Sequence, residues 1–245
     1  MVEEPIEIHM SDGTSEGFLY RRDDGHPLPG VIHLTDIGGI RPAQREMARR
    51  LAEAGYCVLM PNIFYRTGRP PMLQIAGKPG DEQRMKRIAE ISAPMTPEAM
   101  RRDTADYINF FANRSSVRRG MMGAVGYCFA GGMALRIAAT HADRIAAVAS
   151  FHGGRLFTED PSSPHLLLPR VRAQLYFGHA VDDRSMPAEA IAKFNITLQT
   201  WGGKYESEVY EGCHHGWTVP DNPAFNSEQA NVAFGKLTNL FQSAL

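Results

Sequence analysis

A thiol, a pair of carboxylates and a pair of imidazoles stand out along 245 residues for where they are placed. Cys128 lies in GYCFAGG (126–132), with Gly126 two residues before it and Ala130 two residues after. That is the spacing of a nucleophile held at the tip of a tight turn between a strand and a helix. Such a turn strains the nucleophile's backbone, and neighbours without bulky side chains let strand and helix come close. The helix start that follows offers N–H groups and a positive dipole end, which stabilise a thiolate and a developing oxyanion. The N–H of Phe129 is the natural first oxyanion donor. Further on, AVDDRSMP brings Asp182 and Asp183, and CHHGW brings His214 and His215. Thiol, carboxylate and imidazole together can perform acyl transfer through a covalent intermediate. Taken alone, the cysteine motif is explained equally well by packing, because cysteine is among the most frequently buried residues.

The elements around these residues decide whether they can meet. IEIHM (6–10) and EGFLYRR (16–22), separated by SDGTS, read as an N-terminal hairpin. VIHLT (31–35), YCVLMP (56–61), MMGAVGYC (121–128), IAAVASFH (145–152), AQLYFGH (173–179) and YESEVYEG (205–212) are short apolar or alternating runs of strand type. Helical periodicity occupies 42–55, 81–91, 97–114, the small-residue stretch 129–141, about 187–201 and 223–243. This alternation predicts an α/β fold with a mainly parallel, doubly wound sheet flanked by helices, plus an antiparallel N-terminal hairpin. The whole of 1–245 reads as one domain with a partly irregular excursion at about 62–97, broken by RTGRPP, GKPG and APMTP. Ligands of such sheets bind beyond the carboxyl ends of the strands. Cys128, the Asp182/Asp183 pair and the His214/His215 pair all follow strand ends.

With 43% hydrophobic and 22% charged residues the chain has ample apolar surface for a large core. A net charge of -1 supplies no basic field, which argues against nucleic acid or an anionic membrane as partner. MVEEPIEIHM lacks the basic start and apolar run of a signal peptide, and no run is long enough to span a bilayer. Three irregularly spaced cysteines, 57, 128 and 213, do not form a disulfide framework. The expectation is a cytoplasmic protein, monomer or homodimer, acting on a small molecule.

Five blocks in order, VIHLTDIGGI, AGYCVLMPNIFYR, VGYCFAGG, DRSMP and YEGCHHGW, resemble the dienelactone hydrolase family, the cysteine-based branch of the α/β-hydrolases. The resemblance runs from about Gly30 to the C-terminal helix and implies the α/β-hydrolase fold. It also implies a carboxylic ester or lactone hydrolase working through a Cys-Asp-His triad and a thioester, with no metal or organic cofactor. It makes Cys128 the nucleophile. It selects Asp183, four residues before Pro187, as the acid, and His215, before Gly216 and Trp217, as the base. Ile37 would give the second oxyanion N–H beside that of Phe129. Asp36 stands where the family has a Glu that restrains the resting thiol, although an Asp there can also simply cap the loop before the helix at 42. Arg66 matches one of two arginines that grip a substrate carboxylate, a task suited to a guanidinium. Val219 occupies the position of the second, which puts the family's carboxylate-bearing substrate in question.

Two other classes compete with this reading. The fold can serve as a ligand-binding or redox-reactive protein with no ester turnover, its chemistry limited to oxidation of Cys128. A metal site could draw on Cys213, His214 and His215 with His152 and His179, although adjacent residues on a short turn rarely aim at one ion. Phe64, Tyr65, Met72 and Trp217 are candidates for lining a pocket, with Tyr65 and Trp217 placed beside substrate; Cys57, Met60 and His33 read as core or strand residues.

Overall fold

Alternation of inward apolar and outward polar residues makes the first two strands an edge hairpin. In a computed structural model describing residues 1–23, 25–73 and 81–245, β1 (Val2–Met10) and β2 (Gly13–Arg21) pair antiparallel, with Ile6, Ile8 and Met10 turned inward. Six strands follow, the first five apolar on both faces, as strands covered by helices on each side must be, and the last a more exposed edge strand. They are β3 (Gly30–Leu34), β4 (Cys57–Pro61), β5 (Met122–Tyr127), β6 (Ile145–Phe151), β7 (Gln174–Ala180) and β8 (Tyr205–Tyr210). All eight form one sheet in the order β1-β2-β4-β3-β5-β6-β7-β8. β2 joins β4 antiparallel, and every pairing from β4 to β8 is parallel.

Helices α1 (Pro42–Glu53), α2 (Glu82–Ser92), α3 (Pro97–Ala112), α4 (Ala130–Thr140), α5 (Ala188–Trp201) and α6 (Ser227–Ala244) supply the outer layers. Period-two alternation along the strands divides the core in two. Ile32, Leu34, Leu59, Met133 and Phe177 pack on one face. Val31, Val58, Val125, Trp217 and Phe241 pack on the other.

Differences from the sequence expectations have local causes. α6 begins at Ser227 rather than near 223, because the Asn226 side chain accepts the N–H of Gln229 and caps the helix there. A 3-10 helix, Pro164–Arg170, carries no period-3.6 signal and was not expected; prolines at its start and inside it confine it to a short turn. Within the 62–97 excursion, Asp81 caps α2 by accepting from the N–H groups of Gln83 and Arg84, while the GKPG break lies outside the described residues. Parallel strands place β3, β5, β6, β7 and β8 with their carboxyl ends on one rim. The loops bearing Asp36, Cys128, His152, Asp183 and His215 therefore gather there.

Candidate active site

The turn after β5 is built by missing side chains. A Cβ on Gly126 would lie 2.2 Å from the carbonyl oxygen of Ala130, and one on Gly131 would lie 2.3 Å from Ser150 Oγ. With hydrogen atoms in those places, α4 starts directly above the strand, and Cys128 at the apex takes φ 55, a left-handed value unusual for a side chain with a Cβ. Its N–H donates to the carbonyl of Phe151, and its own carbonyl accepts from Gly131 and Gly154. The strained residue is thus tied down on both sides, and its sulfur faces the cleft.

The loops after β7 and β8 bring the carboxylate and the imidazole to the same place. His215 Nε2 is 2.9 Å from Cys128 Sγ, and His215 Nδ1 is 2.6 Å from Asp183 Oδ2. The second oxygen of Asp183 accepts both the N–H of Ser185 at 2.8 Å and its hydroxyl at 2.6 Å, so the carboxylate is held with one oxygen left for the ring. Burial opposes protonation of His215, but the hydrogen bonds it makes to Asp183 and Cys128 more than offset it and raise the ring to about 10. Burial likewise opposes ionisation of Asp183, and the His215 and Ser185 bonds prevail, holding the carboxyl below its ordinary value. Asp182 and His214 also line the cleft, but the chain of hydrogen bonds runs through Asp183 and His215. Replacing Ser185 by Ala keeps the backbone donor and removes the hydroxyl one. A bond to a charged acceptor is worth about 1.5–3 kcal/mol, so roughly tenfold lower kcat with little change in KM is expected from steady-state kinetics of Ser185→Ala.

His152, at the end of β6, packs edge-on to His215 with ring centroids 5.1 Å apart, and its Nε2 lies 2.8 Å from Thr218 Oγ1. Full burial, with His215 nearby, keeps its pKa well below the ordinary value, so the ring is a neutral wall. The backbone N–H groups of Ile37 and Phe129 take no partner among the described turn and loop hydrogen bonds, and both residues line the cleft beside Cys128. N–H groups without a partner inside the chain are the kind of donor an oxyanion would require.

Six of the residues singled out in the sequence are placed otherwise. The Asp36 carboxylate accepts from Arg41 at 2.6 and 2.8 Å, from the N–H of Gly38 at 2.9 Å and from Gln44 at 3.2 Å. It braces the loop that carries Ile37, and its oxygens are committed to that loop rather than to the thiol. Arg66 is gripped by Asp103 through bonds of 2.7 and 2.8 Å and by Asp12, while Tyr65 donates its hydroxyl to Asp103 at 2.9 Å. Neither Arg66 nor Tyr65 lines the cleft. Trp217 is fully buried against Tyr210, Phe151 and His152, supporting the His215 loop from behind. Phe64 and Met72 are likewise buried, packed against Phe129 and Gly39.

Arg41 went unnoticed in the sequence. Its guanidinium holds Asp36 on one side and Asp221 on the other, at 2.7 and 2.9 Å, and so couples the loop after β3 to the loop that follows His215. One signal existed: a cation at a helix N-cap opposes the helix dipole, which suggests a residue kept for what its side chain reaches.

The dienelactone hydrolase family profile matches residues 16–245. A carboxymethylenebutenolidase of Rhodococcus opacus is 26% identical over 244 residues, covering 94% of this chain and 91% of its own. Among solved structures, a protein of Klebsiella pneumoniae provisionally assigned as a dienelactone hydrolase superposes with a TM-score of 0.86 at 18% identity, covering 98% of each chain. A dienelactone hydrolase-like promiscuous phosphotriesterase from metagenomic libraries superposes with a TM-score of 0.78 at 20% identity, over 100% of this chain and 99% of the other. The α/β-hydrolase architecture and the family match lead to one assignment: the chain belongs to the dienelactone hydrolase family and is a hydrolase.

Proposed function

We propose that the protein hydrolyses a small carboxylic ester or lactone by acyl transfer to Cys128. The observation that carries this is the unbroken chain from Cys128 Sγ to His215 at 2.9 Å and from His215 to Asp183 at 2.6 Å. The name carried by the Rhodococcus opacus relative, carboxymethylenebutenolidase, supports a lactone or ester carbonyl as the reacting centre.

The Cys128 sulfur, its proton already resting on His215, attacks the carbonyl carbon, and a C–S bond forms. The N–H groups of Ile37 and Phe129 hold the resulting oxyanion. Collapse breaks the C–O bond, and the leaving alkoxide takes the proton from His215. Once the sulfur is part of a thioester it no longer supports the imidazolium, so the ring falls back from its raised resting value and becomes a base. It then deprotonates water, which attacks the thioester; the C–S bond breaks, and the sulfur is released beside the protonated ring, which restores the resting pair. Asp183 keeps the ring in one tautomer throughout.

The test uses a p-nitrophenyl ester with rapid quenching and mass spectrometry. A burst of nitrophenol and an acyl adduct on the peptide containing Cys128 are expected. Cys128→Ala should lose both, with turnover lower by about 10⁴-fold. Full esterase activity in that variant would refute the proposal, and reaction of Cys128 with peroxide but with no ester would favour a redox role.

A further inference from the structure

Phe129, Gly132, Met133 and Arg136 all line the cleft. Their spacing, i, i+3, i+4 and i+7, places them on one helical face. Phe129 follows the nucleophile, so this face leads away from the sulfur. At the rise of an α-helix its seven-residue span is roughly 10 Å long. Across from it the cleft is lined by Met95 and Met100 around the start of α3, by Met85 and Ile88 of α2, and by Ile37. Met95, Met100 and Met133 belong to one apolar cluster, against which Phe129 and Ile37 also pack.

We infer that this groove holds an unbranched apolar acyl chain of roughly six to eight carbons, laid along α4 with its carbonyl at Cys128. The inference rests on the acyl-transfer reading above and specifies its substrate class. Methionines suit such a chain because an unbranched thioether side chain adapts to a flexible partner. The acyl group stays on the sulfur through both steps, so a groove beginning at Phe129 retains it during both. The anchors for a short carboxylate-bearing substrate are missing: Arg66 is occupied by Asp12 and Asp103, and Val219, where the second arginine would be, is fully buried. Among the described residues five arginines line the cleft, Arg84 and Arg184 among them, and the other three are partly committed. Arg41 holds Asp36 and Asp221, Arg136 donates to the Ser162 carbonyl, and Arg155 and Arg136 both act on Asp160.

The experiment is a panel of p-nitrophenyl acyl esters on the wild-type protein and on Met100→Gln. Each methylene taken from water is worth about fourfold. The hexanoate is therefore expected to exceed the acetate at least tenfold in kcat/KM, allowing for partial burial. In Met100→Gln, an isosteric polar change, the hexanoate-to-acetate ratio should fall at least fivefold. Hydrolysis of acetate with a flat or declining response to chain length would overturn the groove assignment while leaving acyl transfer intact. So would a preference for an acyl chain of the same length ending in carboxylate, or a length response confined to the alcohol portion of alkyl acetates. Absence of turnover and of Cys128 acylation with every ester would overturn both readings.

Discussion

His215→Gln is expected to lower kcat/KM for ester hydrolysis by about 10⁴-fold, since a glutamine can occupy the space and hydrogen-bond but cannot carry a proton between two partners. In the native site Nε2 lies 2.9 Å from the sulfur and Nδ1 2.6 Å from the carboxylate, so in the proposed mechanism every proton passes through this ring. Initial rates with a good and a poor leaving group separate the contributions. The poor leaving group should suffer more, because it needs the proton back. The pH dependence follows from the same contacts. His215 is held protonated up to about 10 in the resting site, so kcat/KM for a poor leaving group should fall as the pH rises through that value. After acylation the sulfur's support is gone, and deacylation should have its acid limb at a lower pH than 10. An acid limb of deacylation at or above pH 10 would contradict the mechanism.

Stability carries a matching signature. The folded-state value of His215 lies above its ordinary 6.5, so its contribution is fully present below pH 6.5 and is lost as the pH climbs through about 10. The folded-state value of Asp183 lies below its ordinary 3.8, so its contribution is present above pH 3.8 and is lost as the pH falls through the lowered value. The melting-temperature advantage of wild type over His215→Gln should therefore shrink as the pH rises from neutrality through 10. An advantage that grows over that range would show that the ring is not held as its contacts imply.

Much of this arrangement is legible in the chain. Strands buried on both faces announce themselves as continuous apolar runs, and those runs located β3 through β7 to within a residue or two. Because parallel strands end on one rim, finding Cys128, Asp183 and His215 each just beyond a strand was enough to bring them together. What escaped was long-range side-chain pairing. Nothing local in RTGRPP or NIFYR announces that Arg66 meets Asp103, 37 residues away, and nothing in GIRPA announces that Arg41 meets Asp221, 180 residues away. Motif position alone sends Arg66 to the substrate, whereas competition from a buried carboxylate decides where its guanidinium goes. Asp36 shows a shorter-range limit: its loop is legible, but the three donors that claim its oxygens, Gly38, Arg41 and Gln44, converge only through the way the loop turns into α1.

That competition yields the second large expected effect, which is on folding rather than turnover. Arg66 has 14% of its side chain exposed and Asp103 has none. Asp103 receives both the guanidinium and the Tyr65 hydroxyl, while Arg66 also reaches Asp12, which Arg102 holds from the other side. The network fastens the turn of the β1–β2 hairpin and the segment after β4 to α3. Removing one partner of a buried pair leaves the other charge without compensation, at a typical cost of 3–5 kcal/mol. Arg66→Ala should therefore destabilise the protein by about 3 kcal/mol, the low end because the guanidinium keeps some contact with water. Denaturant unfolding monitored by circular dichroism measures this directly. Replacing both partners together, Arg66→Met with Asp103→Leu, should recover much of the loss, because no buried charge then remains unpaired. Were Arg66 instead a substrate ligand, Arg66→Ala would fold as well as wild type and raise KM for carboxylate-bearing esters alone. The two variants thus separate an arginine that holds the scaffold from one that holds a ligand.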